Sequence, residues 1–89
     1  MTTIDLSTLD PRRRKLLYRA THRGTHENEL LIGGFVAPRI GGFSEDELKE
    51  LEALLELPDP ELADWLSGRR PIPDADEFTM LRRITEAGS

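Results

Sequence analysis

The chain has 89 residues, 33% of them charged, with 17 acidic against 12 basic side chains and a net charge of −5. A chain this short fits one domain, and it buries only a little more than about 60% of its unfolded surface, so an enclosed active-site cavity would compete with the core for apolar residues. It has no cysteine, which excludes disulfide staples, thiolate nucleophiles and sulfur-ligated zinc and fits a reducing compartment.

The opening Met1-Thr2-Thr3-Ile4-Asp5-Leu6-Ser7 has neither a basic region followed by an apolar run nor an arginine-rich transit pattern. No apolar stretch approaches the ~20 residues of a membrane span. The expectation is a cytoplasmic protein with no membrane insertion, made of a short N-terminal extension (1–10) and one bundle (11–87). Its charges are segregated. Arg12, Arg13, Arg14, Lys15, Arg19 and Arg23 lie in a stretch without acids, whereas residues 44–66 carry nine acids against Lys49 alone. Such separation favours oriented docking on a charged partner.

Asp10-Pro11 sets a cap acceptor before a proline at the first helical position, which predicts a first helix over about 11–22 with Leu16, Leu17 and Ala20 on its inner face. Gly24 is expected to stop it in the left-handed conformation. A second helix would place Glu27 and Glu29 in its first turn and turn Leu30, Leu31, Gly34 and Phe35 inward. Gly33-Gly34 between two apolar runs is equally a two-residue hairpin signal, and two mid-helix glycines cost about 1 kcal/mol each relative to alanine, so helix and hairpin are nearly balanced here. Gly41-Gly42 ends the element either way.

Ser44 and Glu47 form a capping box, with Phe43 and Leu48 as its hydrophobic staple, and Leu48, Leu51, Leu54 and Leu55 continue the buried face of a third helix. Pro58 stops it. Asp59-Pro60 repeats the cap-then-proline device for a fourth helix with Leu62, Trp65 and Leu66 inward, ended by Gly68. Pro71-Ile72-Pro73 is expected to be extended. Asp74 and Glu77 then open a fifth helix with a stripe of Phe78, Leu81 and Ile84, and with Arg82 and Arg83 near its negative end. The fold class that follows is all-α, a compact five-helix bundle of short helices.

Little in the chain points to chemistry. His22 and His26 are four apart, but Gly24 interrupts the helix that a metal pair would need, so no metal site is expected. The glycine pairs lack any phosphate-loop pattern. The run Arg12 to Lys15 winds around a helix instead of lining one face of it, and no base-reading helix follows, so no nucleic-acid partner is expected. The carboxylates of the third helix form its wet face, and no serine or threonine is coupled to a base. Trp65 reads as core. No catalytic residue is assigned, and the chain is not expected to be an enzyme.

One string stays unexplained: Arg23-Gly24-Thr25-His26-Glu27, an R-G-x-x-E pattern where the first two helices meet. With Arg13-Arg14-Lys15-Leu16-Leu17-Tyr18-Arg19-Ala20 before it, Glu29-Leu30-Leu31-Ile32-Gly33-Gly34-Phe35 and Phe43-Ser44-Glu45-Asp46-Glu47-Leu48 after it, and the specific run from Leu54 through Pro58-Asp59-Pro60 to Trp65-Leu66-Ser67-Gly68, the chain resembles the SdhE-type family of succinate dehydrogenase assembly factors, also called FAD assembly factors. The resemblance spans about residues 12–84. His22, Pro38, Gly33-Gly34 and Ala63-Asp64 depart from its usual pattern.

The resemblance implies a five-helix bundle, which favours the helix over the hairpin. It also implies binding to the flavoprotein subunit of succinate dehydrogenase, and in some organisms fumarate reductase, so that a histidine of that subunit is joined to FAD; the chain itself is expected to be a monomer. This chain would hold no cofactor of its own; FAD is the group attached to the partner. Arg19, His22, Arg23, Gly24, His26 and Glu27 would form the partner-binding surface, with Arg23 and Glu27 presenting charge and Gly24 letting the backbones approach. The plainer reading pairs Arg23 with Glu27 across a turn that Gly24 caps. An alternative function from the same resemblance is an antitoxin-like regulator of a membrane toxin.

Overall fold

Side-chain caps place two of the helix starts in the computed structural model, which describes residues 9–87. The first helix, α1 (Pro11–Thr21), begins where the Asp10 carboxylate accepts the Arg13 N–H at 3.3 Å. Leu16, Leu17 and Ala20 are buried as expected. The end differs from expectation, because Gly24 is not left-handed: the positive-φ residue among those described is Gly68, at φ 84°. Side chains close α1 instead. Thr21 Oγ1 donates to the Leu17 carbonyl at 2.9 Å, and His22 Nδ1 lies 2.9 Å from the Tyr18 carbonyl, a bond that requires the Nδ1–H tautomer.

Of helix and hairpin, the chain adopts the helix: α2 (His26–Val36) runs unbroken through both glycines. Its inner face is rotated from the expected one. Asn28, Ile32, Gly33, Phe35 and Val36 are buried, while Leu30 is 61% exposed and Gly34 faces outward. Gly33 sets this rotation, since a Cβ there would lie 3.0 Å from Thr21 Cγ2 and 3.7 Å from the Ala20 carbonyl. The two helices cross closely at this glycine, where an added side chain would have to push Thr21 aside.

A 3-10 turn (Ile40–Gly42) leads into α3 (Glu45–Leu55). Both halves of its capping box are made: Glu47 N–H to Ser44 Oγ at 3.2 Å and Ser44 N–H to Glu47 Oε1 at 2.8 Å. Phe43 and Leu48 are buried beside it, with Leu51, Leu54 and Leu55 along the same face. For α4 (Asp59–Leu66) the N-cap is Pro58, not Asp59. Asp59 is the first helical residue, and its carboxylate is turned away to the α1–α2 junction. Leu62 and Trp65 are buried, Leu66 is half-buried, and the Trp65 ring meets Phe78 edge-on at 5.2 Å.

The last helix starts later than expected. Ala75 is extended, a 3-10 turn (Asp76–Phe78) follows, and α5 (Thr79–Ala87) begins only at Thr79. The side chain of Glu77, half of the expected capping pair, lies outside what the structure describes, as do residues 1–8 of the expected extension. Leu9 and Asp10 belong to the bundle, Leu9 as a core residue and Asp10 as a cap. Met80 joins Leu81 and Ile84 in the buried stripe. Arg82 and Arg83 sit in the middle of α5: Arg82 donates to the Pro73 carbonyl at 2.7 Å and Arg83 to Glu47 at 2.8 Å.

The segregated charges partly close on each other. Arg12 of α1 bridges Glu45 at 2.6 Å and Glu52 at 2.8 Å on α3, holding both carboxyls below their usual range. Arg13 donates to the carbonyls of Ile40 at 3.0 Å and Phe43 at 2.6 Å. Two of the four consecutive cations are therefore engaged inside the fold, which leaves a weaker basic surface than the sequence suggests.

Candidate functional site

The junction between α1 and α2 is built on α4. Arg23 reaches back across it with its side chain only 12% exposed. Its Nε donates to Asp59 Oδ1 at 2.9 Å, Nη1 to the Leu55 carbonyl at 2.9 Å and Nη2 to the Leu57 carbonyl at 3.1 Å. Those carbonyls lie at the end of α3, where backbone acceptors lack helical partners and attract a cation. One guanidinium thus ties the α1–α2 junction to the end of α3 and the start of α4.

The second Asp59 oxygen accepts the Gly24 N–H at 3.3 Å. Asn28, 1% exposed, donates Nδ2 to the Asp59 carbonyl at 3.2 Å and to Oδ1 at 3.4 Å. Burial pushes the Asp59 carboxyl up, but Arg23, Asn28 and the Gly24 N–H together outweigh it and hold the group below the ordinary carboxylate range. A Cβ on Gly24 would come within 3.2 Å of Asp59 Oδ2. A side chain there would have to push the Asp59 carboxylate aside by a few tenths of an ångström, so the position is tight because of this close approach and not because of a left-handed turn.

Above that base the junction is open. His22, Gly24, Thr25, His26 and Glu27 are exposed. His22 stacks on Tyr18 with centroids 3.9 Å apart and planes 13° off parallel, and Tyr18 is 63% exposed. Arg19 is half-buried and donates to Glu56 at 2.9 Å. Arg23 pairs with Asp59 and not with Glu27. Among the described residues no partner engages the Glu27 carboxylate. The six residues singled out in the sequence therefore gather at one junction but divide in two. Arg19 and Arg23 turn toward the end of α3, and His22, Gly24, His26 and Glu27 face outward.

Asp59 and Asn28 were not foreseen as part of this site. The pattern Asn28, Ile32, Phe35, Val36 has the spacing of a buried helix face, and a polar residue at the head of such a stripe signals a buried hydrogen bond. The competing apolar run Leu30-Leu31-Ile32 obscured it. Among the described residues, no group of three or more histidine, aspartate or glutamate side chains is placed to hold a metal ion, and no helix is long and apolar enough to cross a membrane.

These features define a small helical domain whose distinctive surface is a braced, solvent-facing helix junction. A family model described as the flavinator of succinate dehydrogenase matches residues 14–87. The FAD assembly factor SdhE of Acetobacter pasteurianus is 51% identical over 88% of this chain and 72% of its own length. Succinate dehydrogenase assembly factor 2, mitochondrial, is 32% identical in Dictyostelium discoideum, over 90% of this chain and 57% of its own length, and 36% identical in Arabidopsis thaliana, over 81% and 40%. This chain belongs to the family of succinate dehydrogenase flavinators. No solved structure matches it.

Proposed function

We propose that this chain binds the flavoprotein subunit of succinate dehydrogenase through the α1–α2 junction and promotes the covalent attachment of FAD to that subunit. The observation that carries this reading, beside family membership, is the division of the junction: Asp59 neutralises Arg23 and braces the loop from beneath, and the outward Glu27 carboxylate has no partner among the described residues. A carboxylate held on a preorganised turn loses little freedom on binding and offers a partner a charge-assisted contact.

The chain acts as a cytoplasmic monomer and not as an enzyme. Bond formation between flavin and histidine is chemistry of the flavoprotein and its FAD. The assembly factor shifts the flavoprotein toward an attachment-competent conformation, which requires that it bind that conformation more tightly than the others. The flavoprotein of fumarate reductase is a second client on the same reasoning.

The test is capture of the flavoprotein subunit from its own cells by the tagged full chain, in wild-type form and as Glu27→Ala. The wild type should retain the subunit and Glu27→Ala should retain much less. Equal retention by the two would remove the junction from the account, and a membrane protein recovered in place of any flavoprotein would favour the antitoxin reading.

A further inference from the structure

Gly34 stands inside α2, where glycine costs about 1 kcal/mol relative to alanine, yet the fold does not need it. A Cβ built there meets nothing within 4 Å, and its φ lies outside the region that favours glycine. The missing side chain leaves room on the outer face of the helix. That room opens into a groove of about 290 Å³ between α2 and α5, lined by Leu30, Leu31, Phe35, Arg39 and Ile84. Leu30 stands at its edge, 61% exposed.

The groove also holds a cation. The Arg39 guanidinium lies 4.2 Å from the Phe35 ring centroid, and one of its N–H groups donates to the Phe35 carbonyl at 2.9 Å. No carboxylate among the described residues pairs with it. Arg83, 5.5 Å from the same ring, is by contrast matched by Glu47 at 2.8 Å. Arg39 is thus a positioned donor with open hydrogen-bonding capacity beside an apolar surface.

Helical spacing connects this groove to the junction. Glu27, Leu30, Leu31 and Gly34 fall at i, i+3, i+4 and i+7, on one side of α2. We infer that the docking surface continues from Glu27 along α2 into the groove, and that it takes a flavoprotein segment carrying an apolar side chain next to a carboxylate. The apolar side chain packs over Gly34 against Leu30, and the carboxylate accepts from Arg39. This rests on the flavoprotein reading above and adds the chemistry of the segment recognised.

The experiment titrates purified succinate dehydrogenase flavoprotein with the full chain as wild type, Glu27→Ala, Gly34→Leu and Arg39→Glu, with thermal melts of each. Gly34→Leu should melt at or above wild type yet bind about tenfold more weakly or worse. Arg39→Glu, on the exposed surface, should lose a similar factor, and the loss should shrink as salt rises. If wild type binds, Glu27→Ala weakens it and both groove variants bind like wild type, the groove inference is wrong while the flavoprotein reading stands. If wild type does not bind, the flavoprotein reading itself fails. A wild type that sediments as a dimer, dissociated by Gly34→Leu with flavoprotein affinity unchanged, would assign the groove to a second copy and also overturn the inference.

Discussion

Arg23 and Asp59 meet at 2.9 Å across 36 residues of chain, and this pair holds the α1–α2 junction against the start of α4. The contact divides the R-G-x-x-E string by position: its arginine supports the turn from within, and its glutamate faces solvent. A charge pair of this kind is costly to break from one side, because the remaining charge is left without its partner.

Arg23→Ala should therefore destabilise the domain by about 2 kcal/mol or more, through loss of charge-assisted bonds to Asp59 and to two carbonyls at the end of α3. Urea unfolding of Arg23→Ala, Asp59→Ala and the double variant measures this. The double variant should be less destabilised than the sum of the singles; strict additivity would mean that the pair does not couple.

Glu27→Ala should behave in the opposite way. Its side chain is exposed at a helix start, so the loss of stability should stay within about 0.5 kcal/mol while flavoprotein binding falls. A large drop in melting temperature would show that Glu27 has a structural role.

Acid should loosen the junction in a defined direction. The Asp59 and Glu47 carboxyls are lowered in the folded state, so each contributes stability that is complete above the ordinary carboxylate range, about pH 4, and is lost as pH falls through its lowered folded value. Unfolding midpoints measured from pH 7 downward should stay level with respect to these groups and then drop below about pH 4. Asp59→Asn should make that drop shallower, and an unchanged profile would contradict the assignment.

The adjacent glycines of α2 should respond differently to the same change. Gly34→Ala gains helix propensity in open space and should stabilise the domain by about 0.5–1 kcal/mol. Gly33→Ala must push against Thr21 Cγ2 at 3.0 Å, and that side chain is held by its bond to the Leu17 carbonyl, so the variant should be less stable than Gly34→Ala by about 1 kcal/mol or more. Equal melting temperatures would refute the close crossing of α1 and α2.

Helix ends marked by local chemistry were legible in the sequence: the Asp10-Pro11 and Ser44–Glu47 starts and the Gly68 stop act within a few residues of themselves. What escaped was set over long range. The inner face of α2 depends on the contact of Gly33 with Thr21, and two glycines give a hydrophobic pattern nothing to read. Asp59 has the local look of an N-cap, and only the approach of Arg23 from the α1–α2 junction reassigns it. The α5 start moved because Ala75 is extended and a 3-10 turn intervenes. In the site, the six residues were found together at one junction, but which of them face inward could not be read without α4.

The most direct measurement mixes purified flavoprotein lacking covalent flavin with FAD, with and without this chain, and reads flavin fluorescence of the subunit on a denaturing gel. Covalent flavin should form faster or to higher yield with the wild-type chain, and a folded Gly24→Arg variant should give no such increase. The same yield with and without the wild-type chain would contradict the proposed function.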